Sequence, residues 1–297
     1  MAKLAAIALL FLVGVLLRRF GGLDARHASR MLRIVATVGL PALIIGAIGR
    51  VPMDPALLAL PASAAVVMVT VGVLAAGSAR LLGLDRPSTG AMIVSAMAMN
   101  LAVVFPFVFV AWGPEALTRT VIYDAGNAIT QWTLVYLLAV RLGGHATDAR
   151  AVLRRLAGAP PFIAIVVALL VNRLAPPGAA SVLDGLRIVG QIVTLLVLPA
   201  MGLLFEPRRI AAPEVLATVG LRCVVGAAVG ALIALTFDFA APIAAVAVVG
   251  SAAPVAFSAI VMAEREKLDV GLAVAAASLS ALVAMIALPT LLALVGR

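Results

Sequence analysis

The sequence predicts an all-α polytopic membrane protein of ten transmembrane helices, arranged as two inverted five-helix repeats with broken, crossing helices 4 and 9. Three observations lead there. First, 64% of the 297 residues are hydrophobic and only 12% are charged, against about 45–50% apolar in an ordinary soluble domain. With a mean hydropathy of +1.21, the chain carries more apolar surface than a soluble core can hide. Second, the apolar runs are continuous rather than alternating, which excludes a transmembrane barrel. Third, basic residues gather in alternate loops. Cytosolic enzymes, disordered chains and disulfide scaffolds are excluded together, and the lone Cys223 has no partner for an internal bridge.

One crossing takes about 20 residues. Charge, proline and glycine clusters divide the chain into spans at 2–17, 31–49, 56–82, 88–112, 116–140, 160–175, 181–205, 211–236, 240–263 and 269–295. The first run, Leu4–Leu17, leads into Arg18 and Arg19 rather than a small-residue cleavage site, so it reads as a retained helix. The net charge of +9 would suggest nucleic acid in a soluble protein; here its distribution gives another reading, with no nucleic acid involved.

The loops after spans 1, 3, 5, 7 and 9 hold Arg18, Arg19, Arg26, Arg30 and Arg33; Arg80 and Arg86; Arg141, Arg150, Arg154 and Arg155; Arg208 and Arg209; Arg265 and Lys267. The opposite side holds only Lys3, Arg50, Arg119, Arg173, Arg187 and Arg297. This 15-to-6 bias places the richer side in the cytoplasm and both termini outside. A miscounted helix would reverse the bias partway along, and it does not reverse.

The longest cytoplasmic connection divides the chain into a first five-helix repeat (1–141), a connecting loop (142–158) and a second repeat (159–297). Five spans per half force similar halves to lie upside down relative to each other, as in many secondary transporters. Leu40-Pro41-Ala42 in span 2 has a counterpart in Leu198-Pro199-Ala200 of span 7. Spans 4 and 9 begin near Pro87 and Pro242 and carry interior prolines, Pro106 and Pro254.

An interior proline removes a helix hydrogen bond, and in a bilayer the freed groups are tolerated only beside protein or a wet cavity. Pro106 lies after Ser95 and Asn100, and Pro254 between Ser251 and Ser258. Two broken helices crossing at the midplane would present half-helix N-termini to an anion; a plain kink at each proline is the other reading. Thr120, Asp124, Asn127 and Gln131 recur at steps of four, three and four, on one face of span 5. Asp124 there would carry a coupling proton or orient a site amide, or the whole stripe would clamp neighbouring helices. Arg222, inside span 8, is expected to snorkel to the cytoplasmic face. Gly226 and Gly230 read as a close helix contact. His27 and His145 lack metal-ligand spacing, no enzyme signature is present, and no metal or cofactor is expected.

Residues 251–290, with Ser-Ala-Ala-Pro-Val-Ala, Met262-Ala263-Glu264, Asp269, Ser278-Leu279-Ser280 and Leu288-Pro289, resemble the last two helices of the auxin efflux carrier family. Residues 100–127, with Asn100, Pro106, Trp112-Gly113 and Tyr123-Asp124-Ala125-Gly126-Asn127, are similar to its fourth and fifth helices. Two departures stand out: Leu101–Phe105 contains no glycine, and Asn100 sits one residue closer to Pro106 than the family pattern has it.

The resemblance implies a ten-helix carrier for organic anions such as auxins and small carboxylates, with relatives among the bile-acid carriers. It implies a substrate site at the crossover near Asn100, Pro106, Ser251 and Pro254, to which the span-5 stripe adds Asn127 and Gln131, with Asp124 as the coupling group.

The expectation is a multi-pass transporter, not an enzyme, in a bacterial inner membrane. It would move a small organic anion, auxin-like or a carboxylate such as malonate, by alternating access against a scaffold of helices 1, 2, 6 and 7. A proton or sodium ion would couple, and a homodimer is left open. A ten-helix drug/metabolite-type exporter is the nearest alternative, although its termini belong in the cytoplasm. A membrane sensor or interaction module without flux is the reading from another class.

Overall fold

The computed structural model describes residues 2–295 except 53, 145–149, 151–153, 155–156, 175–177 and 207–208. Much of the connecting loop, with His145 and Arg155, lies outside the described residues, as do Arg208 and Arg297. Among the described residues the chain is helical throughout, and two residues form an isolated bridge. The helices are α1 (Ala2–Phe20), α2 (Ala25–Ile48), α3 (Ala56–Leu81) and α4 (Arg86–Met97). The stretch Leu101–Leu142 is divided at Gly113 into α5 (101–112) and α6 (114–142). There follow α7 (Pro160–Leu174), α8 (Ala179–Leu204), α9 (Pro213–Thr236), α10 (Ala241–Ser251), α11 (Phe257–Arg265) and α12 (Val270–Val295). Among the described residues six stretches are long and apolar enough to cross a membrane, and shorter apolar helices lie between them.

Leu101–Leu142 has 42 residues, about 63 Å if straight and twice the hydrocarbon thickness. Gly113 takes φ 81° and ψ −169°, which a side chain would strain, and Pro114 follows it. The helix axis is broken here. Helix α2 starts earlier than span 2 was expected to, because Asp24 caps it by accepting from the N–H groups of Arg26 and His27. Arg26, Arg30 and Arg33 therefore ride on its first turns rather than in a loop.

The paired Leu-Pro-Ala motifs deform both of their helices. In α2 the helix widens to a π turn over Val35–Gly39 just before Pro41, whose ring nitrogen has no hydrogen to donate. In α8 the chain tightens at Leu195 and Leu196 before Pro199, with Leu198 N bonded to Leu195 O. Further π turns occur at Gln131–Val135 and Gly220–Val225.

Helix α1 packs along residues 197–204 of α8, while α2 packs on both α7 and α8. These four helices form one bundle. The other is built from α3, α4, α6, α9, α10, α11 and α12. At one end of the molecule polar contacts tie the five arginine-bearing connections to one another. Arg18 reaches Glu206 at 3.1 Å, Arg209 reaches Asp269 at 3.3 Å, Ser88 reaches Asp269 at 3.2 Å, and Arg86 reaches the Arg141 carbonyl at 2.6 Å. At the other end Arg50 pairs with Asp184 at 2.8 Å and Asn172 donates to the carbonyls of Ile48 and Val51. Connections assigned to one side by charge are thus together in space.

Candidate functional site

Two helices are interrupted at one place. Between α4 and α5 the residues Ala98–Asn100 leave the helix, and between α10 and α11 residues 252–256 do so. The two breaks pair antiparallel at Met99 and Val255. Asn100 N donates to Pro254 O at 2.8 Å and Ala256 N to Ala98 O at 3.0 Å. Each break thereby satisfies main-chain groups that hydrocarbon would leave unpaired. Val255 N donates to Ser280 Oγ of α12 at 3.0 Å.

The first break is not where the proline was expected to put it. Pro106 lies inside α5, buried, six residues past Asn100, and does not interrupt the helix. The opening precedes Leu101 because the crossing partner supplies main-chain hydrogen bonds there, and those outweigh helix continuation. Pro254 does lie in its break, and it is its carbonyl that meets Asn100.

Helix α6 brings its polar face to the crossover. Asn127 Nδ2 donates to Met99 O at 3.1 Å, and Asn127 Oδ1 accepts from Met99 N at 3.4 Å, so the side-chain amide pairs with Met99 much as a third strand would. Asp124 Oδ1 accepts from Asn127 Nδ2 at 2.8 Å, the geometry of a group that orients an amide. One turn earlier, Thr120 spends its hydroxyl on the Ala116 carbonyl. Gln131 lies one turn beyond Asn127, with its Oε1 buried and without a hydrogen-bond partner; no hydrogen bond carries it to the crossover. Asn100 Nδ2 faces Met201 Sδ of α8 at 3.8 Å, across the seam between the two bundles.

Ser251 closes α10. Its Oγ donates to Ala247 O at 2.6 Å and accepts from the Tyr123 hydroxyl at 2.8 Å. Its carbonyl takes a bond from Arg222 Nη2 at 2.7 Å. The Arg222 side chain is wholly buried and does not snorkel. From the π turn of α9 its Nη1 also reaches Ala96 O at 2.9 Å and Met97 O at 3.2 Å. The carbonyls at two helix C-termini are a stronger attraction here than distant water, since each end carries about half a negative charge.

Gly226 and Gly230 make room for this arrangement: a methyl group on either would run into Arg222 or Ser251. Sequence reasoning missed Tyr123 and Ser280. Tyr123 sits four residues before Asn127 on the same face, and counting its hydroxyl as polar would have found it.

A cavity of about 370 Å³ lies on the seam between the bundles. Ile7 and Leu10 of α1, Leu43 of α2, and Phe105, Pro106 and Phe109 of α5 contribute to its largely apolar wall. Gln191 and Thr194 of α8 are its polar members. Its α5 wall begins five residues past Asn100, about 7 Å along the helix. Along α5 its first turn, residues 101–104, stands between the crossover and this wall, and the first N–H groups of a helix have no acceptors within it.

The family described as "Membrane transport protein" matches residues 1–292. A relative from Methanothermobacter thermautotrophicus, described as "Uncharacterized transporter", is 26% identical over 288 residues, which cover 96% of this chain and 94% of that protein.

Proposed function

The chain belongs to the membrane transport protein family, that of the auxin efflux carriers, and from that premise we propose that it is a secondary active transporter for a small organic anion. Ten crossings in two inverted five-helix repeats would carry it, with α4–α5 and α10–α11 as broken helices 4 and 9. The contacts that join alternate connections at opposite ends support this count. The bundle of α1, α2, α7 and α8 would serve as scaffold and the crossover bundle would move against it.

One observation carries the reading. Two half-helix N-termini start from a paired break, and α5, which grows from one of them, walls a cavity on the seam between the bundles. Such ends attract a carboxylate by their dipoles and free N–H groups. In this reading Asn100 and the leading N–H groups of α5 and α11 take the carboxylate. Ser251, Pro254 and Asn127 hold the crossover in shape, and Pro106 lines the room for the rest of the substrate. The apolar wall favours an acid with an apolar body, of auxin-like type, over a compact dicarboxylate such as malonate, whose second charge would find no partner there.

Uptake and counterflow of labelled indole-type monocarboxylates and of malonate in proteoliposomes test this. Saturable counterflow of the monocarboxylate is the expected outcome. Flux of neither acid would overturn the anion reading, and malonate as the better substrate would overturn the assignment of the cavity.

A further inference from the structure

Helices α4 and α10 both end at the crossover, so two C-terminal dipoles, together worth about one negative charge, meet in a buried place. Three main-chain oxygens, those of Ala96, Met97 and Ser251, point into it. In carriers built from discontinuous helices, half-helix C-termini and unwound carbonyls of this kind coordinate the coupling cation. Here all three oxygens accept from one guanidinium.

We propose that Arg222 is a resident cation: its guanidinium occupies the place of a coupling sodium ion and makes the transporter independent of sodium. The charge matches, one positive against about one negative. The donors match as well, since Nη1 serves the end of α4 and Nη2 the end of α10. The approach is built for it, because Gly226 leaves the space through which Nη2 reaches Ser251. A cation tethered to α9 cannot leave with the substrate, so no ion gradient is consumed at this place. It also cancels the negative ends of α4 and α10, leaving the positive ends of α5 and α11 unopposed toward an anion.

The inference rests on the transporter reading for its meaning, but its first test does not need flux. Thermal unfolding of the purified full-length protein in detergent is compared in sodium chloride and choline chloride of equal ionic strength. The parent is expected to melt at the same temperature in both. Arg222→Ala is expected to melt lower in choline, with a saturable upward shift on adding sodium or millimolar guanidinium. Arg222→Lys, which keeps the charge, is expected to fall between them and ignore sodium.

Saturable stabilisation of the parent by sodium would overturn the proposal, and that arm holds even if the Ala variant fails to fold. A folded Ala variant with no cation-specific response would overturn it equally. In proteoliposomes, parental uptake driven by an imposed sodium gradient would do the same. Absence of flux for every acid, with the melting pattern as expected, would instead count against the substrate assignment.

Discussion

The main-chain N–H of Asn100 donates to the carbonyl of Pro254 at 2.8 Å, so the break in each crossing helix supplies what the other lacks. Because the bond uses the backbone of Asn100, its side chain is released from structural duty. That side chain makes one long contact, to Met201 on the facing bundle. Of the polar groups at the crossover it is the one best placed to meet something that enters the seam.

Asn100→Ala should therefore separate binding from folding. The crossover bond survives the substitution, and only the amide is lost. Loss of a hydrogen bond to a charged substrate in a desolvated site is worth about 1–3 kcal/mol, or about 5–150-fold in affinity. The expected result is a Kd or KM raised in that range with an unchanged melting temperature. Parental kinetics in the purified variant would show that the anion does not use this amide.

Pro106→Ala gives the opposite pattern. A helix-interior proline costs up to about 3 kcal/mol against alanine, and α5 is continuous around residue 106. The alanine restores a donor toward the Ala102 carbonyl and should raise the melting temperature. Because Pro106 lines the cavity, KM should shift while the protein stays folded. A lower melting temperature would mean that Pro106 shapes the break after all.

Gly230→Ala should destabilise through overpacking by about 1–3 kcal/mol. An added methyl at residue 230 runs into Ser251 Oγ and the Ala247 carbonyl, both on the helix that α9 packs against. Gly220→Ala in the same helix is the control, since a methyl there meets nothing within 4 Å. There the gain in helix propensity, about 1 kcal/mol, should raise stability. Equal effects at the two positions would contradict the close approach of α9 to α10.

These cases show which parts of the site a sequence exposes. The positions of the helices were legible because lipid demands about twenty apolar residues per crossing, and the pairing of loops was legible because their charges alternate. The break in helix 4 was misplaced because proline is a local signal, whereas the opening at Ala98–Asn100 is caused by hydrogen bonds to a segment far along the chain.

Matching Met99 to Val255 rather than Pro106 to Pro254 sets the two breaks 156 positions apart, in step with the spacing of the Leu-Pro-Ala motifs. Arg222 was misjudged for the same reason. A lone arginine suggests snorkelling until two helix C-termini are known to end beside it.

The orientation of the chain is open to direct test. Cys223 is buried, so an added cysteine is the exposed label site. Lys3→Cys should react with a membrane-impermeant maleimide from outside intact cells, and Glu264→Cys only after permeabilisation. The basic bias of the connections at the Glu264 end motivates this. The reverse pattern would turn the molecule over without changing its fold.

Asp124 is the acidic residue on the α6 face at the crossover, and its bond to Asn127 makes it the group at which proton coupling is tested. An Asp124 carboxyl oxygen accepts from Asn127, and Asn127 in turn holds Met99 in the break. Protonation would weaken that grip and loosen the crossover, linking proton binding to movement of one bundle against the other. Asp124→Asn keeps an oxygen for Asn127 but cannot carry the proton. Counterflow, which needs only exchange of substrate across the membrane, should therefore continue at near-parental rate. Accumulation driven by a pH gradient should disappear, and the pH dependence of uptake should flatten. Asp124→Leu removes the acceptor altogether, leaves Asn127 Nδ2 with Met99 alone, and should lower stability by about 1 kcal/mol, the cost of a weakened buried bond, read as a lower melting temperature. If Asp124→Asn still concentrates substrate against a pH gradient as the parent does, the proton takes another route, and Asp124 serves only to orient Asn127.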